Sequence, residues 1–267
     1  MSSPIRDVQS LPDERNIPIN KVGVRNLQYP ITVLDKERRT QRTVATISLY
    51  ADLPHNFKGT HMSRFIEAFH RYSDDVRMPN FLEMLDELRL RLEARDAFGE
   101  LDFPFFLEKR APISGQPAVM SYNCAFKGTV FEKRRDFFVA VTVPVTTLCP
   151  CSKEISDRGA HNQRSMVTVT VKLGSFFWLE DLIALVEGCA SAPLFTLLKR
   201  EDEKHVTERA YDHPLFVEDL VREVCVAVEK KYDFPWFSVE AVNEESIHFH
   251  DAYAYVERGT LQGATPC

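Results

Sequence analysis

The chain contains 267 residues, of which 44% are hydrophobic and 27% are charged, and its formal net charge at pH 7 is −6. This composition is typical of a globular protein, so it excludes wholesale disorder and a fibrous fold, and the length allows one large domain or two modules. The acidic balance argues against a dedicated nucleic-acid-binding protein, although a local basic cluster can still bind a small anionic ligand.

Hydropathy and cysteine content indicate where the protein works. No apolar run approaches the roughly 18 residues that span a bilayer, and the N-terminus has no apolar segment typical of a secretory signal. The 6 cysteines are few for this length, and without an export signal they are expected to be reduced thiols that serve as ligands or nucleophiles. We therefore expect a cytoplasmic protein without a membrane-spanning segment.

The first half of the chain predicts the order strand, strand, helix, helix, strand, strand. Residues 1–20 are polar and are expected to form a flexible N-terminal segment. Alternating apolar residues predict strands at 21–34, with a kink near Pro30, and at 43–53. The helices and strands that follow are predicted at 61–74, 79–95, 103–113 and 119–131.

The second half repeats this order without repeating the letters. Pro214 is expected in the first turn of its second helix, a position that proline favours. The element order therefore predicts an α+β protein of two ββααββ modules, 21–132 and 133–267, each an antiparallel sheet with helices on one face. The elements of the second half are predicted at 135–145, 161–173, 178–191, 214–231, 236–246 and 249–256.

The densest reactive stretch follows the first strand of the second module. It contains Cys149, Cys151 and His161, and thiolate and imidazole are good ligands for a borderline-soft metal such as zinc. The alternative is that both cysteines are small buried apolar residues, although Pro150 between them makes deep burial less expected. The spacing matches no four-ligand zinc finger, so a closed structural site is not indicated.

A second polar stretch, 243–251, holds two histidines and three acids. In a regular strand His248 and His250 share a face, and Glu245 points the other way unless a bulge intervenes. One interpretation is a polar strand end that faces water. The other is an acid–base pair or a set of metal ligands.

Other charged residues also have two interpretations. The run 199–209 is typical of a solvated face or loop, although one of its carboxylates can turn inward to a metal. Glu218, near a helix start, can complement the helix dipole and pair with Arg222, or it can bind a ligand. Arg64 lies at the start of the first predicted helix, where amide groups favour phosphate and Thr60 can act as a cap.

Three of these stretches together resemble GTP cyclohydrolase I, specifically its type IB branch. They are residues 59–65, residues 144–165 and residues 245–252, and any one of them alone is a weak signal. The resemblance implies the tunnelling fold, in which two ββααββ units lie in one polypeptide. It also implies a homotetramer whose sites lie at interfaces between neighbouring subunits.

The resemblance implies an activity and a set of site residues. The family converts GTP and water to 7,8-dihydroneopterin triphosphate and formate, the first step of folate and pterin biosynthesis. Each site is expected to bind one divalent metal, either zinc or manganese or another divalent ion. The implied metal ligands are Cys149, His161 and Glu203. The implied residues near the reacting ring are Cys149, Glu245 and His248.

The chemistry of GTP gives a role to the remaining candidate residues. A carboxylate at Glu218 can accept two hydrogen bonds from the N1–H and 2-amino edge of guanine, which adenine lacks. The triphosphate requires cations, and the candidates are Arg64, Lys153 and Arg164.

Two other functions are compatible with the same residues. A tunnelling-fold nitrile reductase would use Cys149 as a covalent nucleophile with a nicotinamide cofactor, and would not need His161 or Glu203 as metal ligands. A non-catalytic purine or pterin binder would instead carry a structural metal closed by four protein ligands.

Overall fold

The computed structural model describes residues 9, 11–132 and 134–261, which form nine strands and six helices. The strands are β1 (Ile19–Asp35), β2 (Arg39–Leu53), β3 (Ala97–Arg110), β4 (Pro117–Phe131), β5 (Arg134–Leu148), β6 (Asn162–Lys172), β7 (Ala192–Pro193), β8 (Trp236–Glu244) and β9 (Ala252–Gly259). The helices are α1 (Met62–His70), α2 (Met78–Arg91), α3 (Pro150–Ile155), α4 (Leu179–Cys189), α5 (Arg200–Asp212) and α6 (Val217–Lys231). The predicted element order is confirmed, and the second half adds α3, β7 and α5 to it.

The described residues group into two compact units. Unit 1 comprises the residues up to 103 and residues 125–138, and unit 2 comprises residues 104–124 and those from 139 onward. The strands β3, β4 and β5 contribute residues to both units. No helix in the described part of the chain is long and apolar enough to cross a bilayer.

In unit 1 the strands β1, β2 and β3 pair in antiparallel order. The register of β1 is irregular between Ile19 and Val22 and again between Val24 and Leu27, where Asn26 has a φ of 59°. The predicted kink near Pro30 is therefore wrong, because Pro30 pairs with Val44 in regular register. A left-handed asparagine shifts the register of a strand more than a proline whose φ already suits an extended chain.

Helix α2 approaches the sheet of unit 1 closely. A Cβ at Gly99 would lie 2.7 Å from the Phe81 ring, and one at Gly128 would lie 2.8 Å from the same ring, so both positions need glycine. Helix α1 begins at Met62, and its cap residue is His61, whose side chain does not cap the helix. The expectation that Thr60 caps this helix is therefore wrong.

In unit 2 an antiparallel sheet packs against helices. Strand β6 pairs with β8, and β8 pairs with β9. The apolar stripe predicted for α6 is buried, and burial of these side chains stabilises the packing of the helix on the sheet. Its members are Val217, Leu220, Val221, Val224 and Val228. The helix begins at Val217, so the placement of Pro214 in its first turn is wrong.

Candidate active site

Two candidate metal ligands are held together by the loop that follows β5. Cys149 precedes α3, and its Sγ accepts a hydrogen bond from the backbone N–H of Ser152 at 3.5 Å. The Cys149 N–H donates to the His161 carbonyl at 3.0 Å, and the His161 N–H donates to the Ser152 hydroxyl at 3.2 Å. Cys149 is half-buried and Cys151 is exposed, so Cys151 is not the buried apolar thiol that the alternative required.

Glu245 and His248 both approach His161. The carboxylate oxygen Oε2 of Glu245 lies 3.9 Å from Nδ1 of His161. The His248 and His161 rings have centroids 6.4 Å apart, and the His248 and His250 rings stack at 5.3 Å. Strand β8 ends at Glu244. Glu245 therefore lies outside the strand, and the strand alternation that would turn it away from the histidines does not apply to it.

The same end of the sheet carries buried polar side chains that the sequence analysis did not single out. Gln163 and Asn243 are 7% and 1% exposed. They lie on the buried face of β6 and β8, which continues further along the strands with valine and alanine side chains. The name polar floor is used below for His161, Gln163, Asn243 and Glu245. Each of these residues has a buried side-chain N or O atom without a hydrogen-bond partner among the described residues.

Hydrogen bonds also bring the helices α5 and α6 to this end of β5. The Leu215 N–H donates to the Leu148 carbonyl at 3.0 Å, just before α6 begins. The Lys153 ammonium group donates to the Tyr211 carbonyl at 2.5 Å and lies 4.2 Å from the centre of the Tyr211 ring. The last turn of α5 is therefore fixed beside α3.

Glu218 lies in the first turn of α6 and is exposed. Its neighbour Asp219 accepts a hydrogen bond from the Phe216 N–H at 3.2 Å and lies 3.4 Å from the Arg222 guanidinium. The pairing of Glu218 with Arg222 is therefore wrong, since Asp219 takes that partner. Within the described residues the Glu218 side chain has no hydrogen bond or ion pair, which leaves its carboxylate available to a ligand.

The run 199–209 is a helix, α5, and one of its carboxylates turns inward. That carboxylate is Asp202, which is 0% exposed and accepts hydrogen bonds from the Ile113, Ser114 and Lys199 N–H groups and the Ser114 hydroxyl. Burial raises the pKa of Asp202, but the hydrogen bonds outweigh it and hold the pKa well below its usual range.

Glu203, the third implied ligand, is exposed on α5. No group of three or more His, Cys, Asp and Glu side chains in the described residues is placed to hold a metal ion. Cys149 and His161 fit a divalent ion by their donor chemistry, because a thiolate and an imidazole suit a borderline-soft metal.

The three candidate phosphate ligands differ in their surroundings. Arg64, in unit 1, donates to the Arg91 carbonyl at 3.0 Å, and Lys153 is engaged with Tyr211 as described above. Arg164 is exposed on β6, and its side chain has no hydrogen bond or ion pair among the described residues. Arg164 is therefore the least committed of the three cations.

Comparison with solved structures gives the structural class of this protein. The solved structure of uricase from Arthrobacter globiformis matches 93% of this chain and 96% of its own chain, with a TM-score of 0.50 at 10% identity. At this identity the match speaks for the fold alone, and it confirms the predicted tunnelling fold of the α+β class.

Sequence comparison then gives the family. A family model described as type I GTP cyclohydrolase folE2 matches residues 5–254. The GTP cyclohydrolase FolE2 of Syntrophotalea carbinolica is 54% identical over 95% of both chains. That of Geobacter sulfurreducens is 54% identical over 94% of this chain and 97% of its own. The chain belongs to the type I GTP cyclohydrolase folE2 family, which confirms the resemblance drawn from the three stretches.

Proposed function

We propose that this protein is a GTP cyclohydrolase that hydrolyses the imidazole ring of GTP at C8, releases formate and forms 7,8-dihydroneopterin triphosphate. The observation that carries the proposal is membership of the folE2 family over residues 5–254. The product places the enzyme at the first step of folate and pterin biosynthesis, on the way to tetrahydrofolate. The local geometry of Cys149, His161, Glu245 and His248 supports the proposal.

Cys149 and His161, with Glu203 as the third ligand, would hold one divalent ion, zinc or manganese or another. When bound, such an ion supplies hydroxide at neutral pH, because zinc can lower the pKa of water to about 7 from 15.7 in bulk. Cys149 would bind as a thiolate, because a thiol loses its proton on metal binding, and its sulfur already accepts a hydrogen bond from the Ser152 N–H.

His248 and Glu245 would move protons at the reacting ring. The His248 ring is exposed and lies against the His161 ring, so a ligand beside His161 is within its reach. An imidazole can take a proton from the attacking water through its unprotonated nitrogen and pass it, as an imidazolium, to N7, and it can repeat this transfer for the leaving nitrogen as the C8–N bonds break. General acid–base catalysis of this kind contributes about 10²–10⁴-fold to a rate.

Glu218 would bind the guanine edge, accepting hydrogen bonds from N1–H and the 2-amino group. Its lack of a partner among the described residues supports this role. Arg164 would bind the triphosphate, with Lys153 and Arg64 as further candidates. These cations would offset the net charge of −6 that otherwise repels an anionic substrate.

We also propose that the enzyme is a homotetramer with sites at subunit interfaces. Glu203, Glu218 and His248 are all exposed in the single chain, as expected of side chains that a neighbouring subunit helps to enclose. The proposed compartment is the cytoplasm. The five described cysteines are free thiols, as a reducing compartment requires.

The experiment is to incubate the zinc-loaded protein with GTP and to measure formate and, after oxidation, the fluorescence of neopterin. Cys149→Ser should abolish both turnover and zinc retention, while serine still caps α3. Cys151→Ser, two residues away and exposed, is the matched control and should keep both. GTP binding without formate would indicate the non-catalytic binder, and consumption of NADPH with a nitrile would indicate the reductase.

A further inference from the structure

The polar floor contains two amide side chains that the proposed mechanism does not use. Gln163 and Asn243 are more than nine-tenths buried, and neither side chain makes a hydrogen bond within the described residues. A buried amide without a partner costs free energy, so native proteins rarely keep one without a functional reason. Two such amides beside Glu245 and His161 therefore need an explanation.

The strand register places both amides at the end of the β6–β8 ladder, where Glu245 follows β8. Asn243 lies directly opposite Ser165, and Arg164 lies opposite Glu244 at the end of the ladder. Gln163 precedes Arg164 on β6 and Glu245 follows Glu244, so both lie one residue beyond this last pair. Side chains at facing positions have Cβ atoms about 4.5–5.5 Å apart, and a diagonal neighbour about 7–8 Å away is still within reach of a long side chain.

The unpaired atoms of the floor are complementary only after a small rearrangement. The buried atoms without partners are Oε1 of Gln163, Oδ1 of Asn243, Oε2 of Glu245 and Nδ1 of His161, which are three oxygens and one ring nitrogen. A rotation of either amide by 180° exchanges its oxygen for an NH₂ group, which has two hydrogens to donate. Such a donor would bind the carboxylate of Glu245, which is already 3.9 Å from His161.

We propose that Gln163 and Asn243 are positioning residues, whose amide groups hold the Glu245 carboxylate against Nδ1 of His161. A carboxylate at Nδ1 fixes the tautomer and the orientation of the ring, so that the other nitrogen, Nε2, faces a metal ion. Hydrogen bonds of this kind are often long without substrate and shorten in the reactive complex. This inference rests on the proposed function, because it assigns how the same site is held in place.

The test replaces each amide by an apolar side chain of similar size, as Gln163→Met and Asn243→Leu. Removing an unpaired buried polar group should leave the melting temperature unchanged or raise it. The same variants should lower kcat for GTP by about 10–100-fold and weaken zinc binding, measured by competition with a chromogenic chelator, by a similar factor. KM should change less than twofold, because neither amide contacts the substrate.

The matched controls are Thr168→Ala on β6 and Ser238→Ala on β8, which remove polar groups from the same strands five residues away from each amide. The proposal is overturned if the amide variants keep kcat and zinc affinity within the range of the controls, or if KM alone rises. A lower melting temperature with unchanged kcat would assign the amides a structural role and also overturn it. If the wild-type protein itself does not turn over GTP, the proposed function fails, and zinc affinity still tests the amides.

Discussion

The replacement Glu218→Gln separates substrate recognition from folding. The Glu218 carboxylate is exposed in the first turn of α6 and has no partner among the described residues. Glutamine keeps the shape of the side chain and removes its charge. We expect a large loss of kcat/KM for GTP and nearly unchanged folding.

The kinetic loss follows from hydrogen-bond chemistry. A carboxylate accepts from both donors of the guanine edge, whereas an amide accepts one and opposes the other with its own NH₂ group. Losing one charge-assisted hydrogen bond costs about 1.5–3 kcal/mol, and a second donor left unpaired costs about 1–3 kcal/mol. At about 1.4 kcal/mol per factor of ten, kcat/KM should fall by about 10²–10⁴-fold.

The effect of Glu218→Gln on stability should be small because Asp219 makes the structural contacts at this helix end. Glu218 contributes only its interaction with the helix dipole, about 0.3–1 kcal/mol. Asp219→Ala removes the hydrogen bond to the Phe216 N–H and the ion pair with Arg222, so it should cost about 1 kcal/mol. That loss corresponds to a melting temperature about 2–4 °C lower for a chain of this size.

The two neighbouring variants therefore have opposite expected profiles. Glu218→Gln should impair the fluorescent neopterin assay and melt close to the wild-type temperature, and its zinc content should be unchanged. Asp219→Ala should melt earlier and keep most of its kcat/KM. Wild-type kinetics for Glu218→Gln, with GTP varied well below and above KM, would remove Glu218 from the substrate site.

Two further predictions concern unit 2 away from the site. The Lys109 ammonium group lies 2.7 Å from Glu187, with the two side chains 17% and 13% exposed, so Glu187→Ala should cost about 2–4 kcal/mol in urea unfolding. Adding Lys109→Met to the Glu187→Ala variant should recover most of that loss of stability. No recovery in the double variant would contradict a buried ion pair. Burial, and next the charge of Glu223, raise the pKa of Cys189 to about 11, so its thiol stays neutral at pH 8 and its thiolate forms only as the pH rises toward 11. Iodoacetamide should therefore modify the exposed Cys151 first at pH 8, as mass spectrometry would show, and equal rates for the two thiols would be the contrary result.

The fold was largely predictable because its strands and helices carry strong periodic patterns. Alternating valines predict β6, and the apolar stripe of α6 is buried as expected. The errors concern ends and irregularities, such as the cap at Thr60, the position of Pro214 and the kink at Pro30. Each of these depends on which local hydrogen bond forms, and several residues near a helix or strand end can make it.

The site was predictable only in part. The three stretches point to the family and to Cys149 and His161, but the sequence does not show that Ser152 links their backbones. The direction of Glu245 depends on where β8 ends, and an alternating pattern cannot give that. A signal for Gln163 was present, since it continues the buried face of three valines with a polar side chain.

The position of the candidate site follows from which side chains are buried along the sheet of unit 2. Along one face of β6 and β8 the layers run from Val169 opposite Val239, through Val167 opposite Ala241, to Ser165 opposite Asn243, beyond which lie the other members of the polar floor. The Ser165 hydroxyl lies 2.8 Å from that of Thr147, so Ser165 is satisfied, whereas Asn243 and the rest of the polar floor keep unpaired atoms. The apolar layers stabilise the strands, and the strands hold the polar side chains in fixed directions at their ends. A protein that keeps unpaired polar groups at such a rigid end loses some stability there, and the proposed ligand-binding site would be the physical reason for keeping them.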